Sequence, residues 1–255
     1  MSCYAEDVIK IARAEKGYLE KASKSNLDSK TGNAGNKNYT KYARDMDAVS
    51  GFYNGRKQGV AWCDVFVDWC FYKAYGSANA RKLLCQPTKS CGAGCKWSMR
   101  YYENKKQFHT SPKVGDQIFF YSSSGDSISH TGLVYKVDNS NVYTIEGNTS
   151  SASGVVANGG CVAEKKYKLN YNRIAGYGRP KYDVKPASST STNTTTTTST
   201  TKNYQCIHTV VKGNSLWSIS SKYLGRGNRY KEIMELNDLD SDKIKVGQKL
   251  KIPMK

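Results

Sequence analysis

The sequence predicts an α+β protein built as two domains on a tether. Three observations carry that expectation. In the N-terminal block, helical spacing fills the first part and two-residue alternation the later half. The run KPASSTSTNTTTTTSTTK, Lys185–Lys202, has no large apolar residue and cannot offset its ordering entropy. Beyond it, a short block reads strand, helix, helix, strand. The expected boundaries are 1–184 for the first domain, 185–203 for a flexible Ser/Thr-rich linker and 204–255 for the second domain.

Residues 5–16 place Val8, Ile9, Ala12 and the stem of Lys16 on one helical face. Residues 24–40, rich in Asn, Gly, Ser and Lys, read as a polar loop. In AWCDVFVDWCFYKAYG, Val65, Phe66, Trp69, Cys70 and Lys73 recur at spacings of three and four. That predicts a buried helix beginning near Cys63 and stopping at Gly76. VGDQIFFY, Val114–Tyr121, is a strand after Pro112. HTGLVYKV, His130–Val137, alternates, with Leu133, Tyr135 and Val137 on one face. Asp138, Asn139, Ser140 and Asn141 form a turn, and NVYTIEGN, Asn141–Asn148, is the return strand of an antiparallel hairpin. Counting back from the turn sets His130 opposite Asn148, give or take a residue, and period two puts Glu146 and Asn148 on one face.

In the last block, HTVV (His208–Val211) is a strand, Gly213-Asn214 a turn and Ser215 a helix N-cap. Leu216, Ile219 and Tyr223 follow at helical spacing until Gly225-Arg226-Gly227 breaks the helix. Tyr230, Ile233, Met234 and Leu236 mark a second helix, ending near Asn237. Gly247-Gln248 turns into LKIP, Leu250–Pro253. So small a unit needs its two strands paired to give the helices a common surface.

Lys and Arg number 39 against 21 Asp and Glu, a net charge of +18, which implies polyanionic surroundings. The lysines are scattered and no reader motif is present, so no specific nucleic-acid partner is expected. No run approaches the ~18 apolar residues of a membrane span. Residues 1–20 carry charges throughout and lack the apolar core of a secretory signal. Synthesis in the cytoplasm followed by release, or export by a non-classical route, is the corresponding expectation. The eight cysteines fit no zinc pattern: Cys91 and Cys95 have no matching second pair, so no metal site is assigned and the thiols are read as reduced.

A cysteine becomes a nucleophile only as thiolate, and a helix N-terminus and an imidazolium both favour that form. Cys63 sits at a predicted helix start, and His130 is the candidate imidazole. Glu146 or Asn148 could hold the other ring nitrogen. Such a set attacks an amide carbonyl, forms an acyl-thioester and hydrolyses it, with backbone N–H groups near Cys63 on the oxyanion. The plainer reading is a core cysteine, the role given to Cys70, and a hydrogen-bonded strand histidine. His109 is the fallback base and is expected to be solvated.

WCDVFVDWCF, PKVGDQIFF, SHTGLVYKV and TIEGN, in this order, resemble the CHAP family of cysteine, histidine-dependent amidohydrolases and peptidases. The resemblance implies a papain-like α+β fold with helices packed on an antiparallel sheet. It also implies Cys63 as nucleophile, His130 as base and acid, and Glu146 and Asn148 orienting and polarising the imidazole, in an enzyme that cuts amide bonds of bacterial peptidoglycan. HTVVKGNSLWSISSKY, EIMELNDL and VGQKLKIP resemble the LysM domain, a βααβ unit. That resemblance implies binding of N-acetylglucosamine-containing glycan between the loop of Gly213, Asn214, Ser215 and Leu216 and the loop of Asn237, Leu239 and Asp240. The pairing resembles a phage endolysin or a bacterial autolysin, acting at the wall as a monomer and drawn to teichoic acid by charge. The alternative is a non-catalytic wall-binding protein with a structural CHAP-like domain. Some relatives hold calcium before the nucleophile helix; here Asp28, Asp45 and Asp47 are the candidate carboxylates, and the expectation is that Ca2+ can bind but is not required.

Overall fold

The computed structural model describes residues 2–156, 158–183, 204–211, 213–237, 239 and 241–253. The expected linker, 185–203, and Asp240 lie outside the described residues. The chain forms two compact units, Met1–Ser189 and Thr190–Lys255.

In the first unit, helices α1 (Ala5–Ala14), α2 (Lys41–Asp47), α3 (Cys63–Leu83) and α4 (Cys95–Asn104) precede all the strands. The strands are β1 (Phe108–His109), β2 (Gln117–Tyr121), β3 (Ile128–Val137), β4 (Asn141–Thr149), β5 (Cys161–Lys168) and β6 (Ile174–Gly178). They form one six-stranded antiparallel sheet in the order β1-β6-β2-β3-β4-β5. This is the α+β architecture expected, helices first and antiparallel sheet after.

α3 is the central helix. Cys63 through Phe71 are all buried, the carboxylates of Asp64 and Asp68 included, so the helix has no solvent face in its first half. Lys73, expected on its apolar stripe, is exposed, with Nζ 5.6 Å from the Trp69 ring centroid. Gly76 breaks the helix, at φ 71° and ψ 172°, but helical structure resumes to Leu83. Only glycine takes that φ without strain. α1 ends at Ala14, and Lys16 turns outward to Glu164 at 2.6 Å instead of extending the apolar face. β2 begins three residues later than expected. Lys113–Asp116 closes a turn: the Asp116 N–H donates to the Lys113 carbonyl (3.1 Å) and Asp116 Oδ2 accepts from the Lys113 N–H (2.7 Å).

The β3–β4 hairpin turns through Asp138, whose Oδ1 accepts from the N–H groups of Ser140 (2.9 Å) and Asn141 (2.8 Å). An irregularity between Val134 and Lys136 shifts the register, with a consequence for the faces. Leu133 and Tyr135 join the large core with α3, whereas Val137 packs with Val134 on the opposite cluster, so Leu133, Tyr135 and Val137 do not share one face. His109 is half-buried in β1 rather than solvated.

The second unit comprises β7 (Tyr204–Thr209), α5 (Leu216–Leu224), a 3-10 turn at Gly227–Arg229, α6 (Tyr230–Leu236) and β8 (Lys249–Pro253). The strands pair antiparallel, Tyr204 against Pro253, so β7 starts earlier than the HTVV run. Ser215 caps α5 in a reciprocal box with Ser218, and Gly225 ends it at φ 77°. Val210, Leu216, Ile219, Leu224, Ile233, Leu250 and Ile252 form its core. No helix among the described residues is long and apolar enough to cross a membrane.

Candidate active site

The start of α3 is fixed by aromatic packing. Trp62, fully buried, donates from Nε1 to Glu20 Oε2 at 3.0 Å. Tyr42 packs against Tyr18, Trp62 and Phe66 with ring centroids 4.8, 5.4 and 5.1 Å away. These contacts hold Cys63, the first residue of α3, where the first-turn N–H groups have no helical carbonyl to bond.

His130 arrives from β3. It pairs across with Phe120 on β2, the two rings stacked at 5.9 Å. Nε2 of His130 lies 2.9 Å from Glu146 Oε2, both side chains fully buried. Glu146 is itself held: Thr144 donates to Oε1 at 2.5 Å and the Tyr167 hydroxyl to Oε2 at 3.2 Å. The carboxylate therefore fixes one ring nitrogen. Nδ1, the ring nitrogen that Glu146 does not engage, is buried as well.

The TIEGN segment places three residues with three tasks. Glu146 holds the imidazole. Gly147 lets β4 lie against α3, since a Cβ there would stand 2.5 Å from Phe66 Cβ and 2.8 Å from the Trp62 ring. Asn148 adopts φ 54°, and its Oδ1 accepts from the Gly160 N–H at 3.2 Å. Its Nδ2 is buried with no partner. Carrying the β3–β4 pairing on from Leu133 against Ile145 puts His130 opposite Asn148, but the carboxylate on the imidazole is that of Glu146. Across from Glu146, a Cβ at Gly132 would fall 2.5 Å from Glu146 Cγ, so a glycine there makes room for it.

The ionisation of the pair follows. The Cys63 thiol is held well below its ordinary value, first by the Cys95 side chain, against the penalty of burial, and then by His130 and the Asp64 N–H. For His130 burial is the largest effect and favours the neutral ring. The interactions with Cys63 and Glu146 together overcome it and push the imidazole up to about 9. Thiolate and imidazolium are thus favoured together at neutral pH. The Cys63 residue keeps 4% of its surface exposed.

Sequence reasoning missed several neighbours. Cys95, the first residue of α4, has its Sγ 3.5 Å from Cys63 Sγ. Asp64 accepts from Ser98 Oγ (2.7 Å) and Gln117 Nε2 (3.1 Å), and Gln117 also reaches Thr131 Oγ1 (3.1 Å), tying α3, α4, β2 and β3 together. Burial pushes Asp64 up to about 7. The Cys91–Cys95 spacing fits no zinc pattern and carries no signal that pairs Cys95 with Cys63.

Among the described residues, no group of three or more His, Cys, Asp or Glu stands close enough to hold a metal. The carboxylates considered for calcium are otherwise engaged. Arg44 donates to Asp28 at 2.7 and 2.8 Å and to Asp45 at 2.8 and 2.9 Å. Asp47 accepts from the N–H groups of Lys57 (2.7 Å) and Gln58 (3.1 Å). A guanidinium between two carboxylates does not fit a cation site.

In the second unit, Leu216 is buried and Leu239 packs on the core. Asn214 Oδ1 faces His208 Nε2 at 2.7 Å. Asn237 spends its amide on the backbone, donating to Ile233 and Lys251 carbonyls and accepting from the Lys251 N–H, each at 2.7 Å. Gly213, at φ 90°, makes the turn and Ser215 the cap. Beside them lies an aromatic pair that the sequence reading did not assign to the site, an exposed Trp217 and a half-buried Tyr230. Trp217 rests where a Cβ on Gly227 would clash at 2.2 Å, with Tyr230 6.2 Å away. Both line a cavity of about 260 Å³ with Ser215, Leu216 and Asp242.

The CHAP domain family matches residues 55–148, a span that includes Cys63, His130, Glu146 and Asn148. The first unit thus contains a CHAP domain, of a family that is in general cysteine/histidine-dependent amidohydrolase or peptidase. The LysM domain family matches residues 208–253, so the chain carries a CHAP domain followed by a LysM domain. No curated protein matches the chain. Among solved structures, the one titled "The crystal structure of Ly7917" is similar at 12% identity and TM-score 0.39, over 69% of this chain and 62% of that one. The match thus spans under two thirds of that structure's length.

Proposed function

We propose that this chain cleaves an amide bond of the bacterial cell-wall peptide, as an amidase or an endopeptidase, and is a lytic enzyme of the endolysin or autolysin type. The observation that carries the reading is the convergence of Cys63 with a His130 whose other nitrogen is held by Glu146. The thiolate attacks the carbonyl, and the His130 imidazolium gives its proton to the leaving amine. Nδ1 then takes a proton from the water that hydrolyses the thioester. Glu146 keeps the ring aimed, and Asn148 holds the backbone turn behind it. The domain limits proposed are 1–184 and 204–255, and the working unit is a monomer.

The LysM unit holds the enzyme on N-acetylglucosamine-containing glycan. Because the Asn237, Leu216 and Leu239 side chains are committed inside the unit, glycan contacts in these loops fall to backbone groups of Gly213–Leu216, Asn237 and Leu239, with Trp217 and Tyr230 as a stacking face. The positive charge draws the enzyme to anionic wall polymers such as teichoic acid.

Turbidity clearing of purified walls tests the enzymatic claim. Cys63→Ala should abolish clearing while the protein stays folded by circular dichroism. Equal clearing by both proteins would remove Cys63 from the reaction, and clearing by neither would leave a wall-binding protein with a structural CHAP domain. No calcium requirement is proposed: clearing should persist in chelator, and loss restored by calcium alone would overturn this.

A further inference from the structure

The hydrolytic cycle uses one thiol, yet two meet at the site. Cys63 and Cys95 each open a helix, both are buried, and their sulfurs stand 3.5 Å apart. The helices are pinned just behind them by the 2.7 Å bond from Ser98 on α4 to Asp64 on α3, so the sulfurs are held facing each other. We propose that Cys63 and Cys95 are a modification site for peroxides, at which oxidation closes a reversible Cys63–Cys95 disulfide that masks the nucleophile and shields it from irreversible oxidation. An S–S bond of about 2.05 Å requires the sulfurs to approach by roughly 1.5 Å. The effect on activity rests on Cys63 being the nucleophile; the chemistry at the pair does not.

The steps balance. The Cys63 thiolate attacks one oxygen of hydrogen peroxide; an S–O bond forms, the O–O bond breaks, and the departing hydroxide takes the His130 proton to become water. The Cys95 sulfur then attacks the sulfenic sulfur. The S–S bond forms as the S–O bond breaks, and the second water leaves with the Cys95 proton. Two thiols are oxidised and one peroxide is reduced to two waters. The oxidant is small, as a residue 4% exposed requires. Two of the competing thiols are poorer targets: burial pushes Cys85 up to about 11 and Cys91 up to about 12, keeping both protonated.

The test treats the reduced full-length protein with stoichiometric hydrogen peroxide, alkylates remaining thiols and maps the peptides by mass. The wild type should lose two hydrogens, show a Cys63–Cys95 cross-link, lose nearly all wall clearing and regain it in dithiothreitol. Cys95→Ser should form no cross-link, accumulate oxygen adducts on Cys63, and fail to regain its own starting activity. Direct passage of wild-type Cys63 to sulfinic acid, or a cross-link to another cysteine, would overturn the proposal. Mapping of the wild type decides the matter even if Cys95→Ser does not fold. A cross-link in a protein that never clears walls would sink the hydrolase reading and keep the thiol pair; clearing without a cross-link would do the reverse.

Discussion

In the proposed mechanism His130 acts as an acid only while it is charged. Its value is raised to about 9, so the imidazolium is present below that pH and lost above it, whereas the thiolate is present from well below the ordinary cysteine range upward. Peptide-amide hydrolysis should therefore show a bell-shaped kcat/KM profile with its alkaline limb near pH 9. Glu146 contributes both a hydrogen bond and a charge to that position. Glu146→Gln should bring the alkaline limb down toward the ordinary histidine value and lower kcat by about 10²-fold or more. An unmoved limb would mean that the carboxylate only fills space. At this scale the sequence was informative, because a thiol at a helix start and a histidine on a hairpin are local features. Cys95 was not legible: its closeness to Cys63 depends on how two helices cross, which no spacing encodes.

The contact between α3 and β4 positions the thiol against the imidazole, and it runs through a residue without a side chain. Gly147→Ala would force a methyl group to within 2.5 Å of Phe66 Cβ. Overpacking of this kind costs about 1–3 kcal/mol, so the urea midpoint should fall by a matching amount, and activity should fall further than stability because the site geometry shifts. A variant as stable and active as the wild type would show that β4 can move freely. Element existence was readable from periodicity: the β3–β4 hairpin lies where alternation and the Asp138 turn put it. What periodicity could not show is the irregularity after Val134, which turns Val137 to the other cluster, or the burial of Asp64 and Asp68, whose partners come from distant segments. A buried carboxylate satisfied by Ser98 and Gln117 looks, in sequence, like a solvated helix face.

For the whole molecule, tethering a binding unit to a catalytic one raises the local substrate concentration without altering the chemistry. Deleting 203–255 should weaken lysis of intact cells far more than hydrolysis of a soluble peptidoglycan fragment, and equal losses in both assays would contradict that division. The two-domain plan was legible because composition changes abruptly at Lys185, whereas the loop contacts of the second unit were not, since Asn237 turns its amide inward to α6 and β8. The placement of the four tryptophans gives this chain a built-in optical signal. Trp62 and Trp69 are shielded from water and emit toward the blue, whereas Trp97 and Trp217 are 53% and 56% exposed and emit toward the red. With Trp97 replaced by phenylalanine, the red emission belongs to the indole resting on Gly227, so the sugar stacking proposed for that ring would announce itself as a change of colour, with no label attached.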